Sequence, residues 1–221
     1  MKELSKIKFW LFDLDNTLYS GDTKVFDQVD KKMSKFISEK LNVSLEEAKK
    51  IQKNYFHEYN TTLNGMIKNH DIDANEFLEF VHDVDLEFLK KDELLKIEIE
   101  KLKGKKIIFT NGSKAHASNV TSRIGIEQLF DGVFDIVDSD FYPKPSIEPY
   151  KKIIENYKIV PEYCIFFEDI ARNLKPAYEL GMKTVWIENN EPWAAKYSDE
   201  EFVNYKTGSL TKFLKEINEH R

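Results

Sequence analysis

Five short apolar runs rich in β-branched and aromatic residues, each halted by a polar turn, constrain this chain more than any other feature. They are IKFWLFD (7–13), KKIIFT (105–110), FDIVDS (134–139), CIFFED (164–169) and KTVWIE (183–188). Nearly continuous apolar runs suit strands buried on both faces, the condition of a parallel sheet covered by helices. Helical patterns lie between the later runs: AHASNVTSRIG (115–125), SIEPYKKIIENYK (146–158) and ARNLKPAYELG (171–181). The last two strand-to-helix units are short enough for single βαβ crossovers. Gly125 and Gly181 stand where helix C-caps belong, and Ser209 is placed to cap a closing helix, SLTKFLKEINEH. The fold class that follows is α/β, with a Rossmann-like three-layer core around a parallel sheet.

The interval from 21 to 101 breaks this rhythm, because it shows helical periodicity and no convincing strand. Apolar residues at helical spacing fill VFDQVDKKMSKFISEKL (25–41) and EFLEFVHDVDLEFL (76–89), and capping-box spacing occurs at Ser44 to Glu47 and at Asp73 to Glu76. The expected organisation is an α/β core made of 1–20 and 102–221, with a helical domain, 21–101, inserted between strand one and strand two.

Of 221 residues, 41% are hydrophobic and 33% charged, a composition that folds and buries a core. The net charge of −6 and the absence of a basic cluster interleaved with aromatics exclude a nucleic acid polymer as the expected main partner. Cys164 is the only cysteine, so no intrachain disulfide forms, and its apolar surroundings predict a buried reduced thiol. The N-terminal apolar stretch is too short to span a membrane and lacks a signal-peptide layout, so a cytoplasmic protein without a membrane partner is expected.

The polar residues that carry information lie where strands end, the place where open α/β sheets bind ligands. Asp13 and Asp15 follow the first run, Thr110 and Asn111 the second, Glu168 and Asp169 the run containing Cys164; Lys144 lies in the loop YPKPS after the third. Extended backbone sends residues i and i+2 to the same side, so Asp13 and Asp15 address one site. Asp169 adds a third carboxylate. Such a concentration of negative charge calls for a cation, and oxygen ligands without His or Cys favour Mg²⁺. Thr110 offers a hydroxyl, the N–H groups of Asn111 and Gly112 suit phosphate oxygens, and Lys144 adds a point charge held between Pro143 and Pro145. Positioning plus charge stabilisation is what phosphoryl transfer needs.

In this arrangement the sequence resembles the haloacid dehalogenase-like phosphohydrolase superfamily. Its four motifs appear in order as DLDNT (13–17), FTNG (109–112), KPS (144–146) and FEDIARN (167–173), and longer stretches such as IIFTNGSKAHASNV and FEDIARNLKPAYELGMKTV look like the pyrimidine 5′-nucleotidase branch. The resemblance implies that Asp13 is the nucleophile, that Asp15 is the general acid and base, and that Thr110 and Lys144 complete the catalytic set. It implies Mg²⁺ held by Asp13, the main-chain carbonyl of Asp15 and Asp169, with Glu168 acting through water. Asn173 stands where many relatives carry another acid, on the same helical face as Asp169. The insertion becomes a cap closing over a small phosphorylated metabolite, a nucleoside monophosphate such as UMP or CMP.

Sugar-phosphate or phosphoglycolate phosphatases and mutases share this core machinery and form the alternative reading. Dehalogenases do not need the second aspartate, because halide leaves without a proton; Asp15 argues against them. A phosphate-responsive regulatory protein is the non-enzymatic alternative. Phe26, Tyr55, Phe56 and Tyr59 read first as bundle core and second as a stacking surface. His57, His70 and His82 read as structural or surface residues without zinc-site spacing, and His116 as a helix-surface residue near the second motif.

Overall fold

A computed structural model describes residues 2–220. Its six strands are β1 (Phe9–Phe12), β2 (Lys105–Phe109), β3 (Gly132–Phe134), β4 (Cys164–Glu168), β5 (Lys183–Ile187) and β6 (Tyr205–Thr207). All neighbouring pairs are parallel, in the order β3-β2-β1-β4-β5-β6. The chain leaves β1 toward β2 on one side and later returns to β4 on the other. The end of β1 is therefore the topological switch point, where a crevice opens.

Alternation along the strands divides the core into two layers. Trp10, Phe12, Ile108, Ile165, Phe167 and Val185 face one side; Leu11, Ile107, Phe109, Cys164 and Phe166 face the other. The first side is covered by α5 (Glu93–Glu100), α6 (Lys114–Ile124) and α10 (Leu210–Glu219), the second by α7 (Ile147–Tyr157) and α8 (Leu174–Glu179), and a short α9 (Pro192–Ala195) follows β5. Across the β1–β4 seam Phe12 stacks on Phe167 with centroids 4.9 Å apart.

Four helices form the separate apolar unit of the inserted interval: α1 (Val25–Leu41), α2 (Leu45–Tyr59), α3 (Thr62–His70) and α4 (Ala74–His82). Ser44, Thr61 and Asp73 cap α2, α3 and α4 with their side chains, as capping spacing predicts for the first and last. Helix α5, in the same interval, instead packs Leu95 and Ile99 into the layer beside the sheet, and Asn218 of α10 donates to the Glu98 carbonyl at 3.0 Å.

Three sequence expectations are corrected. The third strand is Gly132–Phe134, not 134–139. Asp135 stops it: its carboxylate accepts the N–H groups of Val137 and Asp138 and closes a turn. The apolar residues that imitated a strand there serve the cap, since Ile136 and Phe141 pack into the α1–α4 cluster. The apolar pattern of 76–89 is not one helix, because α4 stops at His82. The pattern of 171–181 opens as a 3₁₀ turn, 171–173, before α8. Strand β6, polar and only three residues long, lacks the apolar signal that marked the others.

Candidate active site

Asp13 leaves β1 with its N–H donated to the Phe167 carbonyl of β4, which fixes the carboxylate above the switch point. Asn16 then takes a left-handed conformation, φ 60°, a turn geometry that asparagine tolerates. Through this turn Asp13 and Asp15 both line one cavity of about 310 Å³ enclosed between the sheet ends and α1, α2 and α4.

Lys144 is almost fully buried, 1% exposed, and its ammonium is shared among three acceptors: Asp13 Oδ1 at 2.7 Å, Glu168 Oε2 at 2.6 Å and the Phe109 carbonyl at 2.9 Å. Burial opposes its charge, but the two carboxylates outweigh this and raise its pKa above the ordinary range. The loop that carries Lys144 is clamped by Asn111, whose Oδ1 accepts the Lys144 N–H at 2.9 Å and whose Nδ2 donates to the Lys144 carbonyl at 3.4 Å. Asn111, expected from its motif to bind phosphate, thus also fixes the cation.

Asp13, Glu168 and Asp169 are buried, and each offers an oxygen within 4.8 Å of the others'. One ammonium cannot neutralise three carboxylates. Burial and the Glu168 charge push Asp13 up to about 7 against the pull of Lys144, and burial with Glu168 and Asp13 pushes Asp169 well above the carboxylate range. A hard divalent cation would relieve this repulsion, and the all-oxygen donor set fits one. Asn189 Nδ2 donates to Asp169 Oδ2 at 2.7 Å and Trp186 Nε1 to its carbonyl at 2.7 Å, so Asp169 is oriented from β5 and the loop behind it. Glu168, expected to act through water, has one oxygen on Lys144 and the other accepting the Ile170 N–H.

Asp15 has a different environment. Its Oδ1 accepts from Tyr19 OH at 2.5 Å and lies 2.8 Å from His116 Nε2. Burial alone would raise its pKa, but His116 and Tyr19 outweigh burial and hold it below the usual range. His116 is 1% exposed, which corrects its reading as a surface residue. His82, at the end of α4, stacks on it with centroids 4.3 Å apart and an interplanar angle of 12°, while its Nδ1 lies 3.0 Å from Ser113 Oγ. Burial and His116 depress His82 to about 3. Helical spacing placed neither histidine, because the pairing joins residues 34 positions apart across cap and core; Tyr19, four residues from Asp15 on the turn after β1, was within reach of sequence reasoning.

The second motif also differs in detail. Thr110 Oγ1 accepts the Gly112 N–H at 2.9 Å, so that N–H is satisfied inside the loop, and the Thr110 hydroxyl proton is left for another acceptor. Asn173 is buried in the cavity wall; its carbonyl accepts from Tyr150 OH at 2.5 Å and its Oδ1 has no protein partner. On the cap side Phe26 and Phe56 line the cavity, whereas Tyr55 packs over Gly65 and Tyr59. Gln52 is buried there, donating to Asp30 Oδ1 at 2.7 Å and accepting from Ser34 Oγ.

Residues 7–181 match the family of haloacid dehalogenase-like hydrolases. The chain belongs to this family. Phosphate metabolism protein 8 of Saccharomyces cerevisiae is 31% identical over 95% of this chain and 71% of its own length. A glyceraldehyde 3-phosphate phosphatase of Methanocaldococcus jannaschii is 27% identical over 94% of this chain and 96% of its own. Among solved structures, a haloacid dehalogenase-like phosphatase from Thermococcus onnurineus superposes with a TM-score of 0.62 over 96% of this chain and 98% of that one, at 21% identity, a likeness of fold. With these relatives and this site, the haloacid dehalogenase-like hydrolase described here is a phosphoric monoester hydrolase. Among the described residues no helix is long and apolar enough to cross a membrane.

Proposed function

We propose that this enzyme is a Mg²⁺-dependent phosphatase of pyrimidine nucleoside 5′-monophosphates, acting in the cytoplasm through an aspartyl-phosphate. The observation that carries the mechanism is the unequal setting of the two aspartates: Asp13 lies in a buried anionic cluster against Lys144, and Asp15 in a separate clamp of Tyr19 and His116. An Asp13 oxygen attacks phosphorus, the bond to the 5′ oxygen breaks, and that alkoxide takes a proton from Asp15, which is ionised in the clamp of Tyr19 and His116 and first takes one up from solvent as the substrate binds. Water then attacks the aspartyl-phosphate, its proton passes to Asp15, the bond to Asp13 breaks, and inorganic phosphate leaves. Thr110 and the Asn111 N–H are the donors placed for the transferred oxygens. Asp13, the Asp15 carbonyl and Asp169 would hold Mg²⁺, which when bound neutralises charge between Asp13 and the phosphate dianion. Helices α1–α4 would act as the cap that excludes water.

Room for a nucleoside is the support for the substrate: the cavity continues from Asp13 to the aromatic rings of Phe26 and Phe56. A triose, sugar or small acid phosphate is the second reading, favoured by the activity named for the M. jannaschii relative. Phosphate release from UMP, CMP, dTMP, AMP, GMP, phosphoglycolate and sugar phosphates, with Mg²⁺ and with EDTA, tests both. Metal-dependent preference for UMP or CMP that disappears in Asp13→Asn is expected. Preference for a sugar phosphate would overturn the substrate and keep the mechanism; full activity in Asp13→Asn would overturn the nucleophile.

A further inference from the structure

One cation of the cavity is not used by the mechanism. Arg172 sits in the turn three residues after Asp169, half-buried, with its guanidinium carbon 4.6 Å from the centre of the Phe56 ring on α2. Its single hydrogen bond among the described residues is a long one, from Nη2 to the Asn60 carbonyl at 3.4 Å. Its Nε is buried without a partner, and no carboxylate of the described residues pairs with it within 4.0 Å. Lys144 differs in each respect, with all its donors directed at protein acceptors. Lys53 also lines the cavity but is exposed. A guanidinium carries five N–H donors in one plane. Phe56 lies to one side of the guanidinium carbon and offers no hydrogen-bond acceptor in the plane of the group, so the unused donors call for an acceptor from the cavity. Burial works against the charge here and holds the pKa of Arg172 below its ordinary value, which adds to the benefit of an acceptor.

We infer that Arg172 is a specificity-determining residue whose guanidinium edge donates to a planar oxygen acceptor, a pyrimidine carbonyl or a carboxylate, on the half of the substrate that leaves with the oxygen. The inference rests on reading this cavity as the phosphomonoesterase site and does not require the substrate to be a nucleotide. Arg172 and Asp13 line the same space, so one molecule can meet both. The turn that supplies Asp169 to the floor thereby also carries a reader of the leaving group.

The test uses two pairs of substrates, one member of each bearing the acceptor: UMP against ribose 5-phosphate, which lacks the whole uracil ring, and phosphoglycolate against ethyl phosphate, which has a methyl group in place of the carboxylate. The readout is kcat/KM for wild type, Arg172→Met and Arg172→Lys, with all variants checked for folding by their denaturation midpoints. Wild type is expected to prefer the acceptor-bearing member of one pair. Arg172→Met should lower kcat/KM on that member about tenfold to a hundredfold, the effect of a charge-assisted hydrogen bond, and on its truncated partner less than about threefold. Arg172→Lys, which keeps charge and loses the fork, should recover only a minor part of the discrimination; if the Met variant does not fold, the Lys variant decides by the same ratio. Equal losses on both members, no loss, full recovery by Lys, or no wild-type preference in either pair would overturn the assignment. Discrimination confined to the phosphoglycolate pair would keep Arg172 as the reader and overturn the nucleotide reading, whereas discrimination confined to the UMP pair would keep both.

Discussion

The floor and the roof of the cavity are held together by opposite means. On the floor, buried charges face one another: Lys144 is bound by Asp13 and Glu168, with Asp169 beside them. In the roof, α1–α4 enclose an apolar cluster of residues such as Phe36, Phe77 and Met66, and its ion pairs are exposed ones such as Lys40–Glu76. A buried charge left without its partner is far more costly than a lost surface pair. The floor therefore allows little substitution, while the roof can change residue by residue and still fold.

Two floor variants should separate most sharply. Asp13→Asn removes one carboxylate from a cluster with excess negative charge, so metal-free stability should hold or rise, while phosphate release falls by about 10⁴-fold or more, as for loss of a nucleophile. Lys144→Met leaves Asp13 and Glu168 buried without their cation and should cost about 3–5 kcal/mol of unfolding free energy as well as activity. Urea denaturation of the metal-free proteins measures both. A Met variant with the wild-type midpoint would break the contrast, because it would mean that the cluster is solvated.

The floor was also the part most legible in the sequence. Asp13, Asp15, Thr110 and Asp169 stand at or just past strand ends, and the period-two pattern that locates a strand also locates the residues after it, whereas Lys144 lies ten residues beyond β3 and was legible from its proline-flanked loop. What escaped is long-range and aromatic or amide in nature. Nothing local says that Asn111 clamps residue 144, that Asn189 orients Asp169, or that His82 of the cap stacks on His116 of the core. The third strand was misplaced because Ile136 and Phe141 are apolar for a reason outside the sheet, the support of the cap. For α5, helical periodicity was correct, but periodicity does not tell which unit a helix packs against.

His82 joins roof to floor, and its titration gives an intermediate effect. Its folded pKa, about 3, lies below the ordinary 6.5, because of burial and then of His116; Asp15, which also faces it, acts the other way. The unfolded chain therefore takes up the proton first, so the contribution is complete above pH 6.5 and is lost as pH falls toward 3. At pH 5 this amounts to about 2 kcal/mol relative to pH 7.5. His82→Phe keeps a ring on His116 and removes the titration. Its unfolding free energy should fall by about 2 kcal/mol less than that of wild type between those two pH values. Equal falls would place His82 in contact with solvent and loosen the cap–core contact accordingly.

The smallest effect belongs to the roof alone. Asp73 is exposed and caps α4, accepting the N–H of Asn75 at 2.8 Å and of Glu76 at 3.4 Å. Asp73→Ala should cost about 1 kcal/mol of stability, the usual value of an N-cap. The cap lies at the opposite end of α4 from His82, which meets the catalytic floor; Phe77 and Leu78 also line the cavity, but they are held in the apolar cluster of the roof, and fraying of a first turn does not propagate through the remaining hydrogen-bonded turns. Turnover of ethyl phosphate should consequently change by less than about twofold. A larger fall would mean that the roof transmits strain from its outer edge to the chemistry, and its residues would then be as constrained as the buried charges beneath them.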